Sequence, residues 1–275
     1  MNVLKTIVVA GSLLAVTTAQ AVGEQIIVET TDNAIVFKVG DNNRLYQSYI
    51  GKRLNGKADY DALPLGTEAY LTHGMEDYFE PALHINRADG NPSTLLEYRS
   101  HSQAVRDGAV ETVITLADPV YGDEVKLHYM AYGAENVFKS WSEITNKEKK
   151  TIEIEKYASS MLHFDAPKYI VTQYSGEWAN EANQLEQELH YGKKVIDSKL
   201  GARADMHVSP FFQLSLGEKA TETSGEVLTG TLGWTGNFRY VFEVDNLGKL
   251  RVISGINPYF CLLYTSDAAD DLTRV

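Results

Sequence analysis

Between Gln25 and Gly255 apolar and polar residues alternate with a period close to two, and Gly, Asn, Asp and Pro interrupt the runs. In EVKLHYMAY, Val125, Leu127 and Tyr129 fall on one face of an extended chain and Lys126, His128 and Met130 on the other, which predicts a strand with one buried face. Runs of the same kind predict strands in AIVFKVG, RLYQSYIG, TLLEYRSH, AVETVITLAD, VFKSWSEITN, TIEIEKYASS, KYIVTQYSG, FFQLSLG, GEVLTGTLGW, FRYVFEVD and LRVISG. In the turn VDNLGKL, Asn246 and Gly248 are the residues suited to positive φ, and YGAEN and TNKEKK fit short hairpin connections. Only EWANEANQLEQEL carries helix formers, along one weak apolar stripe, and it reads as a long excursion between strands. Many strands without amphipathic helices between them require antiparallel pairing, because parallel neighbours need crossover connections. The expected fold is all-β, a large antiparallel β-sandwich, with no repeat or Pro-rich linker to divide it.

Composition agrees with a folded chain: 44% hydrophobic and 23% charged residues over 275 positions can fill a large core. A formal net charge of −12 argues against the positive surface that a nucleic acid or an anionic membrane requires, and favours a neutral or cationic partner. The first residues read as a secretory signal: Lys5 in a short basic region, an apolar run from Ile7 to Val16, and Ala19-Gln20-Ala21 as a small-x-small cleavage site. The apolar run is shorter than the roughly 20 residues of a spanning helix, and no later run reaches that length, so no membrane partner is expected. The expected organisation is a signal at 1–21, a β domain at 22–259 and a tail at 260–275, with export to the periplasm or the medium. Cys261 is the single cysteine, which rules out an intrachain disulfide framework.

Most catalytic templates fail on this sequence. It has no GxSxG elbow, P-loop, GxGxxG or CxxC. His73, His84, His101, His128, His163, His190 and His207 never fall at HxH or HExxH spacing, so no metal site is expected. Glu76-Asp77 and Asp123-Glu124 are adjacent carboxylates, but neighbours on a strand point to opposite faces, and solvated charge is the expectation for both pairs. Of Trp141, Trp178 and Trp234, two are expected in the core. One stretch stands apart. LTHGMEDYFEPALHI compresses Gly74, the acidic pair, two aromatics and Pro81 into a corner before a short strand from Ala82 to Ile85. It fits either a tight corner or a loop rim on which Asp77 and aromatics grip sugar hydroxyls and an apolar sugar face.

Two longer stretches resemble the amino-terminal β domain of glycoside hydrolase family 36 α-galactosidases: SGEWANEANQLEQELHYGKKVIDSKLGARADMHVSPFFQLSL and ETSGEVLTGTLGWTGNFRYVFEVDNLGKLRVISGINPY. The features that carry it are Trp178, Glu181, Gly192, Ser209-Pro210-Phe211, Gly225-Glu226, Leu232, Trp234-Thr235-Gly236-Asn237, Arg251 and Gly255-Ile256. Upstream, GMEDYFEPALHI is similar to the family's DxRxPAL-type segment, with Phe79 where many members carry Arg. The resemblance runs from Gln25 to Tyr259.

It implies a supersandwich of the galactose-mutarotase type and an exported enzyme that removes terminal α-linked galactose with retention, without a cofactor, as a homo-oligomer. In the family the two catalytic aspartates lie on a (β/α)₈ barrel in KWDxN and CxSD segments. This sequence contains neither segment, and a barrel needs about 250 residues. No catalytic residue is therefore assigned, the α-galactoside is expected to be held through the missing barrel, and Asp77 is the one substrate-binding candidate, as a loop residue lent to the galactose pocket. The ending CLLYTSDAADDLTRV resembles translated adapter sequence beginning near Phe260, or else a disordered terminus of small polar residues. The rival reading is a free-standing carbohydrate-binding or structural sandwich module.

Overall fold

The computed structural model describes residues 23–75 and 78–259. Its first sheet is a meander of β1 (Gln25–Glu29), β2 (Asn33–Val39), β3 (Leu45–Lys52) and the two-residue β4 (Thr67–Glu68), paired in that order. A five-residue helix, α1 (Lys57–Asp61), crosses between β3 and β4 and turns Tyr60 onto Ala34 and Val36. Next come the isolated strand β5 (Leu83–Asn86) and a second meander, β6 (Glu97–Arg106), β7 (Ala109–Ala117), β8 (Glu124–Tyr132) and β9 (Val137–Thr145). β10 (Glu153–Tyr157) returns to pair with β5.

From there the chain alternates between two sheets. β11 (Ser160–Phe164), β14 (Gly192–Ser198), β17 (Phe238–Val244) and β18 (Leu250–Ile256) form one, ordered β11-β18-β17-β14. β12 (Tyr169–Glu177), β13 (Asn180–Glu188), β15 (Val208–Leu216) and β16 (Glu226–Thr231) form the other, ordered β13-β12-β15-β16. Every strand pairing in these sheets is antiparallel, and the architecture is the expected large β-sandwich.

Beside the small cluster of Ala34, Val36 and Tyr60, two large hydrophobic cores divide the interior, and the β11-β18-β17-β14 sheet lies between them. Along β17 the even positions Phe238, Tyr240, Phe242 and Val244 enter the core shared with β12 and β15, while Val241 enters the core built by the two meanders. Leu250 and Val252 of β18 follow the first course and Ile253 the second. A strand buried on both faces loses its polar-apolar alternation, which is why FRYVFEV reads as a nearly continuous apolar run. Phe212 of β15 meets Tyr240 and Phe242 edge-on at 5.1 and 4.9 Å between ring centres, the favoured arrangement for aromatic quadrupoles.

EWANEANQLEQEL departs from the expected excursion. Its main part is β13, antiparallel to β12 with Ile170 opposite Glu188 and Ser175 opposite Asn183, at the free edge of its sheet. All nine residues are exposed, so neither face carries an apolar pattern and only the backbone ladder makes it a strand. Its dense charge is what keeps an open edge from pairing with other chains. In the β17–β18 turn Gly248 takes φ 78° but Asn246 does not adopt positive φ. The Asp245 side chain accepts from the Leu247 and Lys249 amides at 2.8 and 2.9 Å and closes the turn instead.

Candidate functional site

The corner singled out in the sequence is a loop clamped at its base. Thr72 bridges Leu83, the His73 amide donates to the Leu83 carbonyl at 2.9 Å, and the Ala82 amide donates to the Leu71 carbonyl at 2.8 Å. The chain leaves and re-enters the fold at this one paired base. Gly74 makes the exit possible: its φ is +83°, and a Cβ there would stand 2.2 Å from Ser93 Oγ and 2.8 Å from Ser93 Cα. The Thr72 hydroxyl donates to the Thr94 carbonyl, and the Thr94 amide to the His73 carbonyl at 3.1 Å, which tie the base to the segment leading into β6. His73 stacks on His84 with ring centres 4.0 Å apart, and burial, with His73 alongside, pushes the His84 ring toward its neutral form.

The returning side of the loop lies across the β11-β18-β17-β14 sheet. On that face Lys193, Glu243 and Arg251 form one rung across β14, β17 and β18, Val195, Val241 and Ile253 the next, and Asp197, Arg239 and Gly255 the third. Phe79 packs against the first core and takes the Arg251 guanidinium over its ring, 4.2 Å from the centroid. Phe79 thus serves as an aromatic seat under another strand's arginine.

Glu80 follows. Its amide donates to Glu243 Oε2 at 2.8 Å, and its carboxylate binds Lys156 and, at 2.6 Å, Lys193, with Arg239 at 3.8 Å. Burial works against the charge on Glu80, but the hydrogen bonds from Lys156 and Lys193 overcome it and hold the carboxyl down at about 2. Between these anchors Tyr78 stands 98% exposed.

Asp77, with Glu76, lies outside the described residues, as do the expected signal at 1–21 and the tail from 260 that contains Cys261. Other sequence readings meet the structure directly. Asp123 is not solvated: it is 1% exposed and is bound, with Asp118 and Glu148, by the buried Arg87, whose guanidinium stacks 3.9 Å from the Tyr121 ring centre. That cluster ties together the β5–β6, β7–β8 and β9–β10 connections. Nothing at the level of spacing announces it, because its four charged members are spread over some 60 residues of sequence.

None of the three tryptophans is in the core. Trp141 is half-buried on His128, ring centres 4.5 Å apart. Trp178 is 91% exposed at the tip of the β12–β13 hairpin, and Trp234 is half-buried and donates to the Asn237 carbonyl at 3.2 Å. Among the described residues no group of three His, Cys, Asp or Glu is placed to share a metal ion.

Residues 43–262 match the family model described as the glycosyl hydrolase family 36 N-terminal domain. The chain belongs to that family. Alpha-galactosidase 2 of Hypocrea jecorina is 30% identical over 200 residues, 68% of this chain and 26% of the relative. Alpha-galactosidase Mel36A of Lactobacillus acidophilus is 26% identical over 232 residues, 79% of this chain and 31% of the relative. The chain thus spans about a quarter to a third of the curated relatives it matches. Among solved structures, the family 36 α-galactosidase AgaA of Geobacillus stearothermophilus superposes with a TM-score of 0.78 at 24% identity, over 86% of this chain and 38% of that one. AgaB of the same organism gives 0.77 at 25% identity. The fold of the family 36 amino-terminal domain is therefore the fold of this chain.

Proposed function

We propose that the chain is the amino-terminal part of an exported, retaining α-galactosidase, and that it contributes no catalytic carboxyl pair. The observation that carries this reading is the match of residues 43–262 to the amino-terminal domain model, over only a quarter to a third of relatives named α-galactosidase. Retaining chemistry needs two carboxyls about 5–5.5 Å apart, one as nucleophile and one as acid then base. The KWDxN and CxSD segments that supply them in the family are missing from the sequence. AgaA has been solved with raffinose and with stachyose, which supports an α-galactoside as the substrate of the complete enzyme.

In that enzyme the role of this domain is to assemble with the barrel and its neighbours in a homo-oligomer and to present Asp77 to sugar hydroxyls, as a hydrogen-bond partner and not as a proton-transfer group. The rigid anchoring of Gly74 on one side of Asp77 and of Phe79 and Glu80 on the other supports a presenting role. Export rests on the signal-like first 21 residues.

The deciding experiment has two arms. Source DNA read beyond codon 260 is expected to encode KWDxN and CxSD segments, and the 275-residue chain is expected to leave an aryl α-galactoside intact. Turnover by the chain alone overturns the reading. A stop codon together with galactose binding returns it to the sugar-binding module, which the two extensive cores would also suit.

A further inference from the structure

At the pole where β12 and β14 end and β15 and β17 begin, β12 is irregular on both of its edges. Its register to β13 shifts between Ser175 and Glu177, and its register to β15 shifts between Gln173 and Ser175. Gly176 sits at the double bulge: its amide donates to the His207 carbonyl at 3.0 Å, and a Cβ would stand 2.5 Å from the Asn180 carbonyl oxygen. Across the hairpin Ala179 and Ala182 hold φ of 62° and 56°, a conformation that alanine adopts only at a cost. Bulges and strained residues gather where a fold re-aims side chains for binding. Here Ser175, Gly176 and Ala182 line a cavity of about 390 Å³, within the range of small-molecule sites.

The lining gives that cavity its chemistry. Tyr174 and Phe211 form an aromatic corner, ring centres 5.7 Å apart and planes inclined at 47°, with the Tyr174 hydroxyl fixed by donation to Gln213 Oε1 at 3.2 Å. Glu181 and Asp205 add carboxylate acceptors, His207 adds an imidazole, and neither Lys nor Arg lines the cavity. Two carboxylates with no Lys or Arg beside them disfavour phosphate and carboxylate ligands. The metal alternative lacks donors, since no three metal-binding side chains among the described residues share a site. Carboxylates accept charge-assisted hydrogen bonds from hydroxyls, and aromatic rings cover the C–H face of a pyranose.

We propose that this cavity binds a neutral hexose unit of an oligosaccharide. The cavity's own chemistry carries the assignment, independently of turnover by the complete enzyme. Met206, 46% exposed, lines the cavity, and Met161, 1% exposed, lies in the first core, so the two give a reporter and an internal reference.

The test titrates raffinose into the 275-residue chain labelled with ¹³C at its methionine methyls, the Met206 signal being assigned with Met206→Leu. The Met206 methyl is expected to shift saturably while the Met161 methyl stays in place. In the double variant Glu181→Gln, Asp205→Asn the apparent affinity is expected to fall about tenfold, with the remaining methyl spectrum unchanged. The assignment is overturned by absence of a saturable Met206 shift, by equal affinity in the double variant, or by a response to spermidine and not to raffinose.

Discussion

Replacing Glu80 with Gln tests whether the loop is held electrostatically, because it removes the one carboxylate shared by Lys156, Lys193 and Arg239 while keeping the shape of the side chain. The magnitude follows from linkage. A carboxyl ordinarily at 4.5 and held at about 2 in the folded chain corresponds to about 3 kcal/mol of stabilisation by its charge. Lys193 is 43% exposed, and solvent screening lowers the part that survives to about 1–2 kcal/mol. Because the folded value is depressed, this contribution is complete above pH 4.5 and is lost as the pH falls toward 2.

Denaturant unfolding of wild type and Glu80→Gln, followed by circular dichroism from neutral pH downward, should therefore show a gap of about 1–2 kcal/mol that closes over that window. For a domain of this size the neutral-pH gap equals about 2–8 °C in melting temperature. A gap of the same size at every pH, or no gap above pH 4.5, would refute the electrostatic account of the anchor.

Arg87→Met leaves Asp118 and Asp123 buried without their cation and should cost about 3–5 kcal/mol, read by the same unfolding assay, with partial recovery when Asp123→Asn is added. Gly74→Ala, forced into φ +83° against Ser93, should cost about 1–3 kcal/mol and speed amide exchange at His73 and Thr94. Burial, with Arg251 adding to it, holds the His163 ring down at about 3. The neutral ring therefore stabilises the fold above 6.5 and that contribution is lost as the pH falls toward 3, so proton NMR of His163 should show no titration midpoint near 6.5.

The strands that the sequence made legible are those with one face in a core. EVKLHYMAY coincides with β8, and Val125, Leu127 and Tyr129 do enter the first core. The outer face of that strand is less simple: His128 and Met130 are also buried, beneath Trp141 and its neighbours, because a large aromatic on an adjacent strand can cover a face that faces no second sheet. β13 was illegible for the opposite reason, since a strand wet on both faces has no hydrophobic period to read.

The candidate site was legible in part. Compression of Gly74, aromatics and Pro81 marked the corner, but its anchors Lys156, Lys193, Arg239 and Glu243 come from three other strands, and only the fold brings them to Glu80. Tryptophan failed as a marker of the core because Trp178 lies on a hairpin tip and Trp141 and Trp234 on partly open surfaces.

The sheet that separates the two cores also decides where the loop can stand. Its central rung, Val195, Val241 and Ile253, is committed to packing, so polar contact with the loop is left to the rungs on either side. Glu80 spans them, taking Lys193 from one and reaching Arg239 on the other, while Phe79 closes over Arg251. Such an arrangement fixes Phe79 and Glu80 on the sheet, yet it sets the preceding Tyr78 almost wholly in water, where an aromatic ring gains nothing from folding. Firm anchoring of Phe79 and Glu80 beside an exposed Tyr78 is what the proposed presenting role requires, because a side chain offered to a partner or a sugar binds more tightly when its ordering cost is met in advance by the scaffold.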